Sequence, residues 1–392
     1  MLKTLERAKQ LQEQMEAVRR HLHMYPELSF EEYETSRLVQ NKLSDLGIPF
    51  YTVDGTTCVI GIIQGVRPGK TIVLRADMDA LPIRELNDDC PFKSQVDGRM
   101  HACGHDGHVS ALLGAAQILT EMRDEICGTV KLVFESGEEY GGTFQKMDEA
   151  GVFDDVDHCF GIHIWSEVPA GKIACSAGGR MAGTDLLNLR ITGVGSHGAQ
   201  PHLGVDAGVA AAAIIMNLQT IVSRELDPQE TAVVTIGKFA AGQRFNSIPD
   251  EAILEGNLRY FRPELSDKYP QIINRIAENT AAAFRAKSEM ILHEIGTPPV
   301  VNSPEAVIFG QKVIKKLFGE DALYDLPPLM AGEDFAFYIN KCGGLFVFVG
   351  GGSQYRKSWP HHNGHFDIDE SSLTLSAALH AQYAIDYLNE NE

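Results

Sequence analysis

The chain contains no apolar run long enough to cross a membrane. Its longest candidate, GVAAAAIIMNL from Gly208, is too short and too rich in alanine. The opening segment, MLKTLERAKQLQEQ, has no basic stretch leading into an apolar one, so no secretory leader is expected. Positive charge is scarce: 34 Lys and Arg against 53 Asp and Glu leave a net charge of −19. That balance argues against nucleic acid or an anionic membrane as partner, since both are held by cationic surface. Disulfide patterning is missing as well. The seven cysteines (58, 90, 103, 127, 159, 175 and 342) form an odd, scattered set without a C-x-x-C. Such a set suits a reducing cytosol, with most thiols acting as small buried apolar groups, and a cytoplasmic location is the expectation. Repeats and low-complexity tracts are absent too. The remainder is ordinary globular composition, 44% apolar and 22% charged over 392 residues, enough for two domains.

Against this background one octet stands out. Residues 101–108 read His-Ala-Cys-Gly-His-Asp-Gly-His. Each imidazole, thiol and carboxylate loses hydration on burial unless it is paired or bound, so a run this dense points to a metal ion or a reaction. Cys103 and His105 offer a thiolate and an imidazole two residues apart, ahead of a helix whose N-terminus favours the thiolate. Glu138 and Glu139 are adjacent, so in an extended loop they point apart; one can bind metal while the other faces a water. Glycines on both sides of them let that loop bend tightly. His163 and His362, far along the chain, complete the suggestion of a metal-dependent hydrolase. Taken singly, these groups have plainer readings. A lone strand histidine is more often packed than ligating, paired glutamates are common in solvated loops, and Asp77 and Asp79 could be turn formers before Pro82. His21 and His23, at a helix end, read as structural.

The apolar pattern gives an α/β organisation. Leu11, Met15, Val18 and Leu22 recur at helical spacing until Pro26. Ser29 and Glu32 read as a capping box for a second helix running to about Leu46. Short apolar strands follow at 58–63, 71–74, 129–134 and 160–164, some separated by helices such as 109–119, which predicts a mostly parallel sheet covered on both faces. The chemistry-bearing residues fall at the ends of these strands, where open α/β sheets place their sites. From about 184 to 296 the order becomes βαββαβ, the ferredoxin-like split motif, after which α/β character returns. The expected architecture is a discontinuous catalytic domain (1–183 and 297–392) with a smaller domain (184–296) inserted.

Several motifs in order resemble the M20 family of metallo-peptidases and amidohydrolases, specifically its subfamily D. They are RRHLHMYPELSFEE at Arg19, LRADMDALPI at Leu74, MHACGHDGH at Met100, the ESGEE loop at Glu135, GIHIW at Gly161, GSHGAQPH at Gly195, FNSIPDEAILEGNLR at Phe245, AGEDFAFY at Ala331 and HHNGHFDIDE at His361. The resemblance implies a zinc-exopeptidase-like catalytic domain. It implies Cys103, His105, Glu139, His163 and His362 as ligands of two divalent metal ions (Mn²⁺, Zn²⁺, Co²⁺ or Ni²⁺), with Cys103 bridging. Glu138 would be the general base, with Asp79 orienting the site from behind. Where the wider family has a ligand histidine this chain has Asp77, and His105 would take over that coordination. The inserted domain would serve for dimerisation and as a lid, its His197 and Asn246 reaching substrate in the neighbouring protomer of a homodimer.

The implied reaction is hydrolysis of an N-acyl amino acid to a carboxylic acid and a free amino acid. A metallo-carboxypeptidase or dipeptidase on the same scaffold is the nearest alternative. More distant ones are a thiol hydrolase using Cys103 with His105, and a protein that binds a metabolite without turning it over.

Overall fold

A computed structural model describes residues 2–353 and 357–390. The chain divides into two compact units. One comprises Met1–Gly178, Asn302–Pro327 and Phe337–Glu392; the other comprises Gly179–Val301 and Pro328–Ala336.

The larger unit is built on an eight-stranded mixed sheet. Its four central strands, in spatial order Cys127–Glu135, Arg67–Asp77, His158–Pro169 and Gly344–Gly352, run parallel. Antiparallel neighbours flank them, Val59–Gln64 on one side and Ile173–Ala174 on the other. The sequence of the Arg67–Asp77 strand accounts for its central place. From Thr71 onward every residue is buried, as a strand covered on both faces requires. Ile72 and Leu74 enter the main core with the helices His105–Glu121 and Ser371–Glu390. The opposite face is covered near Thr143–Glu149, where Phe144 stacks on Phe153 and the Tyr338 ring packs against both at an angle. His105–Glu121 is apolar on nearly all sides, because the helices Gln12–Met24 and Ser371–Glu390 also pack against it.

The smaller unit has a four-stranded antiparallel sheet in the spatial order Ala232–Ala241, Glu251–Tyr260, Gly183–Thr192, Lys287–Thr297, with the helices Ala207–Leu218 and Glu264–Ala283. In chain order this is βαββαβ with spatial order 2-3-1-4, the ferredoxin-like arrangement. Asp206 caps the first helix by accepting from the Val209 amide at 3.0 Å.

Two sequence expectations are corrected. The helix at 207 continues through a π turn, so Ala207–Glu225 is long and apolar enough by composition to cross a membrane. Ala207, Ala210, Ala211, Ile214, Leu218 and Ile221 nevertheless lie in the core of their own unit, which accounts for the apolar face. The capping box at 29–32 does not form. The helix Tyr33–Asp45 has no side-chain cap, and Ser29 Oγ donates instead to Asp79 Oδ2 at 2.7 Å.

Candidate metal centre

The chemistry-bearing residues of the larger unit gather at the carboxyl ends of its parallel strands. Asp77 and Glu135 are register partners at the ends of their strands, and His163 lies two residues beyond the Arg75–Gly161 pair, at the same level in a strand that continues to Pro169. Gly104, at a φ of 100°, turns the chain into the helix that starts with His105. An L side chain rarely adopts that conformation, so glycine is needed between Cys103 and His105.

Donor atoms of Cys103, His105 and His163 lie within 4.8 Å of one another, and so do those of Cys103, Glu139 and His362, and those of His105, Glu138 and Glu139. Cys103 Sγ is 3.6 Å from His163 Nε2. His362, held at a φ of 60°, places Nε2 3.0 Å from Glu139 Oε1, while its amide donates to Ala102 O at 2.8 Å. All six residues therefore belong to one cluster, with Cys103 common to two of the trios.

The surrounding bonds orient the imidazoles. His105 Nδ1 lies 2.9 Å from Asp79 O and 3.2 Å from Asp79 Oδ1, so Nδ1 donates there and Nε2 points away from them. That Nε2 is buried and has no hydrogen-bond partner among the described residues. His163 Nδ1 likewise donates to Ile164 O at 3.0 Å, freeing Nε2. Asp79 also accepts from the amides of Glu138 (3.2 Å) and Glu139 (3.1 Å). It thus ties the glutamate loop to His105.

His108, the third histidine of the octet, is satisfied at both nitrogens. Nδ1 pairs with Asp77 Oδ1 at 2.6 Å, and Nε2 accepts from the Ile164 amide at 2.8 Å. Asp77 is also bound by Arg75 at 2.5 Å, so it supports His108 rather than standing free. Burial alone would raise its carboxyl, but His105, Arg75 and His108 outweigh that and hold it well below the usual range.

The charge pattern tests whether cations suit this cluster. Burial, then Glu139, Glu138 and Asp77, push the Cys103 thiol up, because an added negative charge has no cation to meet it. Burial works against protonation of His105, yet Asp77 and Asp79 raise it to about 10. Burial lowers His163, whose lone pair stays available. A buried imidazole nitrogen without a hydrogen-bond partner among the described residues, a thiol facing carboxylates and two convergent glutamates all gain from divalent cations. The donor set fits two such ions. The same pattern weighs against Cys103 as a free nucleophile, since nothing here stabilises its thiolate without metal.

Two of the residues named from the sequence lie in the other unit. His197 is in a two-residue strand paired with Ser247–Ile248, opposite Ser247, and the Gly198 amide donates to Asn246 O at 2.8 Å. His197 and Asn246 are therefore neighbours there, both exposed. Sequence reasoning passed over His361, which is half-buried and stacks on Trp165 at 4.0 Å between ring centroids, with Nε2 3.2 Å from Ile164 O. The His361-His362 doublet was its only signal.

The parallel sheet with its cluster of donors defines a metal-assisted hydrolase class. The chain matches the model of Peptidase family M20/M25/M40 over residues 73–386 and belongs to that family. It is 39% identical over 378–381 residues to relatives that include IAA-amino acid hydrolase ILR1-like 2 of Arabidopsis thaliana, covering 96% of this chain and 85% of that one. Thermostable carboxypeptidase 1 of Saccharolobus solfataricus is 38% identical, covering 95% of each. The crystal structure of the Bacillus subtilis YXEP protein, a dinuclear metal-binding peptidase of the M20 family, superposes with a TM-score of 0.87 at 34% identity, covering 98% of this chain and 100% of that one.

Proposed function

We propose that the chain is a metal-dependent amidohydrolase that cleaves N-acyl amino acids to a carboxylic acid and a free amino acid. The observation that carries this reading is His105 Nε2, which has no hydrogen-bond partner among the described residues, shares a trio with Glu138 and Glu139 and lies 4.0 Å from Glu138 Oε2. A ligand position and a proton carrier are thus side by side. Cys103, His105, Glu139, His163 and His362 would hold two divalent ions, Mn²⁺, Zn²⁺, Co²⁺ or Ni²⁺, with Cys103 shared. When bound, such ions polarise a carbonyl and bring the pKa of a water from ~15.7 toward ~7.

Glu138 would take the proton of the attacking water and return it to the departing amine nitrogen, a role worth roughly 10²–10⁴ in rate. Asp79 fixes the His105 tautomer and both glutamate amides, so base and ligand keep their separation. His197 would donate to the oxyanion of the tetrahedral intermediate, and Asn246 would bind the substrate near it. We assign both to the second unit of a neighbouring protomer in a homodimer, with that unit serving for dimerisation and as a lid. The free state of all seven cysteines suits a reducing, cytoplasmic setting.

A carboxypeptidase activity is the second reading, favoured by the relative named Thermostable carboxypeptidase 1. Both reactions break an amide whose amine side carries a free carboxylate, and they differ in what the acyl side bears. Protein stripped by chelator and reloaded with each of the four metals should be assayed on acetyl, benzoyl, indole-acetyl and long-chain acyl amino acids, and on dipeptides with free amines. Metal-restored cleavage of acyl amino acids is expected. Preference for the dipeptides would move the assignment to the second reading, and full activity in verified metal-free protein would refute both.

A further inference from the structure

The turn at 29–32 has a task unlike the helix cap its sequence suggests. Glu32 is fully buried, and its carboxylate is aimed at the loop that carries Glu138 and Glu139. Oε1 accepts from the Gly137 amide at 2.9 Å, and Oε2 accepts from Ser136 Oγ at 2.9 Å and Thr57 Oγ1 at 2.6 Å. Three residues earlier, Ser29 Oγ donates to Asp79 Oδ2, the same carboxylate that receives the Glu138 and Glu139 amides. Between the two, Phe30 is held at a φ of 67°, which a bulky side chain rarely adopts. Its ring fills the space over Gly137: a Cβ built on that glycine would come within 2.4 Å of it. Three contacts from residues 29–32 thus bear on one loop, those of Phe30 and Glu32 directly and that of Ser29 through Asp79.

We propose that Glu32 is a positioning residue, which with Ser29 and Phe30 clamps loop 136–139 so that Glu138 and Glu139 keep their places in the donor cluster. The proposal rests on the hydrolase reading above for its kinetic consequence, but not for its structural one. A buried carboxylate could instead only stabilise the fold, in which case filling the space would suffice. Glu32→Met fills the space without accepting a hydrogen bond. Glu32→Gln keeps an acceptor for the Gly137 amide and presents an amide that the two hydroxyls can accept from, since hydroxyls rotate.

The test compares these two variants by steady-state hydrolysis, by calorimetric titration of the metal-stripped proteins with Mn²⁺, and by hydrogen exchange of a peptide spanning 135–142. For Glu32→Met we expect kcat lowered at least 10-fold at little-changed KM, Mn²⁺ affinity weakened several-fold, and faster exchange at Gly137. Glu32→Gln should restore kcat to within about 3-fold of the wild type. Equal kcat, Mn²⁺ affinity and exchange in the two variants would overturn the proposal. If Glu32→Met fails to fold, Ser136→Ala removes a single bond on the loop side and should lower kcat several-fold; unchanged kcat and exchange there overturn it equally. A wild-type protein that neither binds Mn²⁺ nor hydrolyses any acyl amino acid would refute the hydrolase reading, and the exchange measurement would still decide the clamp.

Discussion

Asp79→Asn tests how far the cluster depends on a residue that touches none of the reacting atoms. Asp79 is buried, and burial alone would raise its carboxyl; His105 and Ser29 more than offset this and hold it charged. One oxygen faces His105 Nδ1 and the Glu138 amide, and the other faces Ser29 Oγ and the Glu139 amide. Asparagine can keep one oxygen but must set an NH₂ group against two donors, or against one once the serine hydroxyl turns to accept. With the NH₂ on the Ser29 side the Glu139 amide loses its partner, and in the opposite flip the Glu138 amide loses its own, so one backbone donor is orphaned either way, at a cost of about 1–3 kcal/mol. Loss of a carboxylate behind a ligating histidine ordinarily costs about 10–100-fold in metal affinity or activity. Here the Asp79 carbonyl at 2.9 Å still fixes the His105 tautomer, so the lower end, near 10-fold, is expected for the affinity. The fall in kcat/KM should exceed the fall in affinity, because the Glu138 amide shares the same carboxylate. Metal titration by calorimetry, kcat/KM at saturating metal, and thermal melts of the stripped protein measure the three quantities separately. Wild-type affinity together with wild-type kcat/KM would refute the reasoning.

Three further outcomes follow from the same geometry. Glu138→Gln should keep its metal and lose most of kcat, whereas Glu139→Gln should lose metal by elemental analysis; the reverse pattern would exchange the two roles. His23, buried between Asp106 Oδ2 (2.8 Å) and Glu85 Oε1 (3.4 Å), is lowered by burial but raised more by those carboxylates, to about 9. Its contribution to stability, roughly 3 kcal/mol at most, should therefore be complete below pH ~6.5 and disappear as the pH rises through about 9. His105 in metal-free protein acts in the same sense, so the comparison of wild type with His23→Gln in urea melts at pH 6 and pH 10 isolates it; equal losses in both would contradict the assignment. Finally, Glu138→Ala and His197→Ala homodimers should each be nearly inactive, while co-assembly should restore roughly a quarter of wild-type sites, since half the dimers are mixed and each mixed dimer has one whole site. No recovery would mean that His197 serves its own chain or has no catalytic part.

What the sequence revealed, and what it hid, divides by distance along the chain. Cys103 and His105 were legible because their polar density within eight residues exceeds anything a core tolerates, and the strand ends were legible because runs such as 71–74 are apolar on both faces. Partners were much less legible. Asp106, the carboxylate of the octet, is bound by Arg19 and His23, 87 and 83 positions earlier, and pins the helix His105–Glu121 to Gln12–Met24. His108 belongs to the same octet as His105, but the Ile164 amide and Asp77 occupy both of its nitrogens.

Ser29 and Glu32 matched the spacing of a helix cap, which needs only local geometry; the bonds they make cross 50 and 105 positions and exist only once the sheet has brought Asp79 and Gly137 beside them. Local patterning can show that a polar group must have a partner, because burial without one costs about 1–3 kcal/mol. Which partner it finds is decided by topology, and the residues that position this site, unlike those that form it, carry no local signature at all.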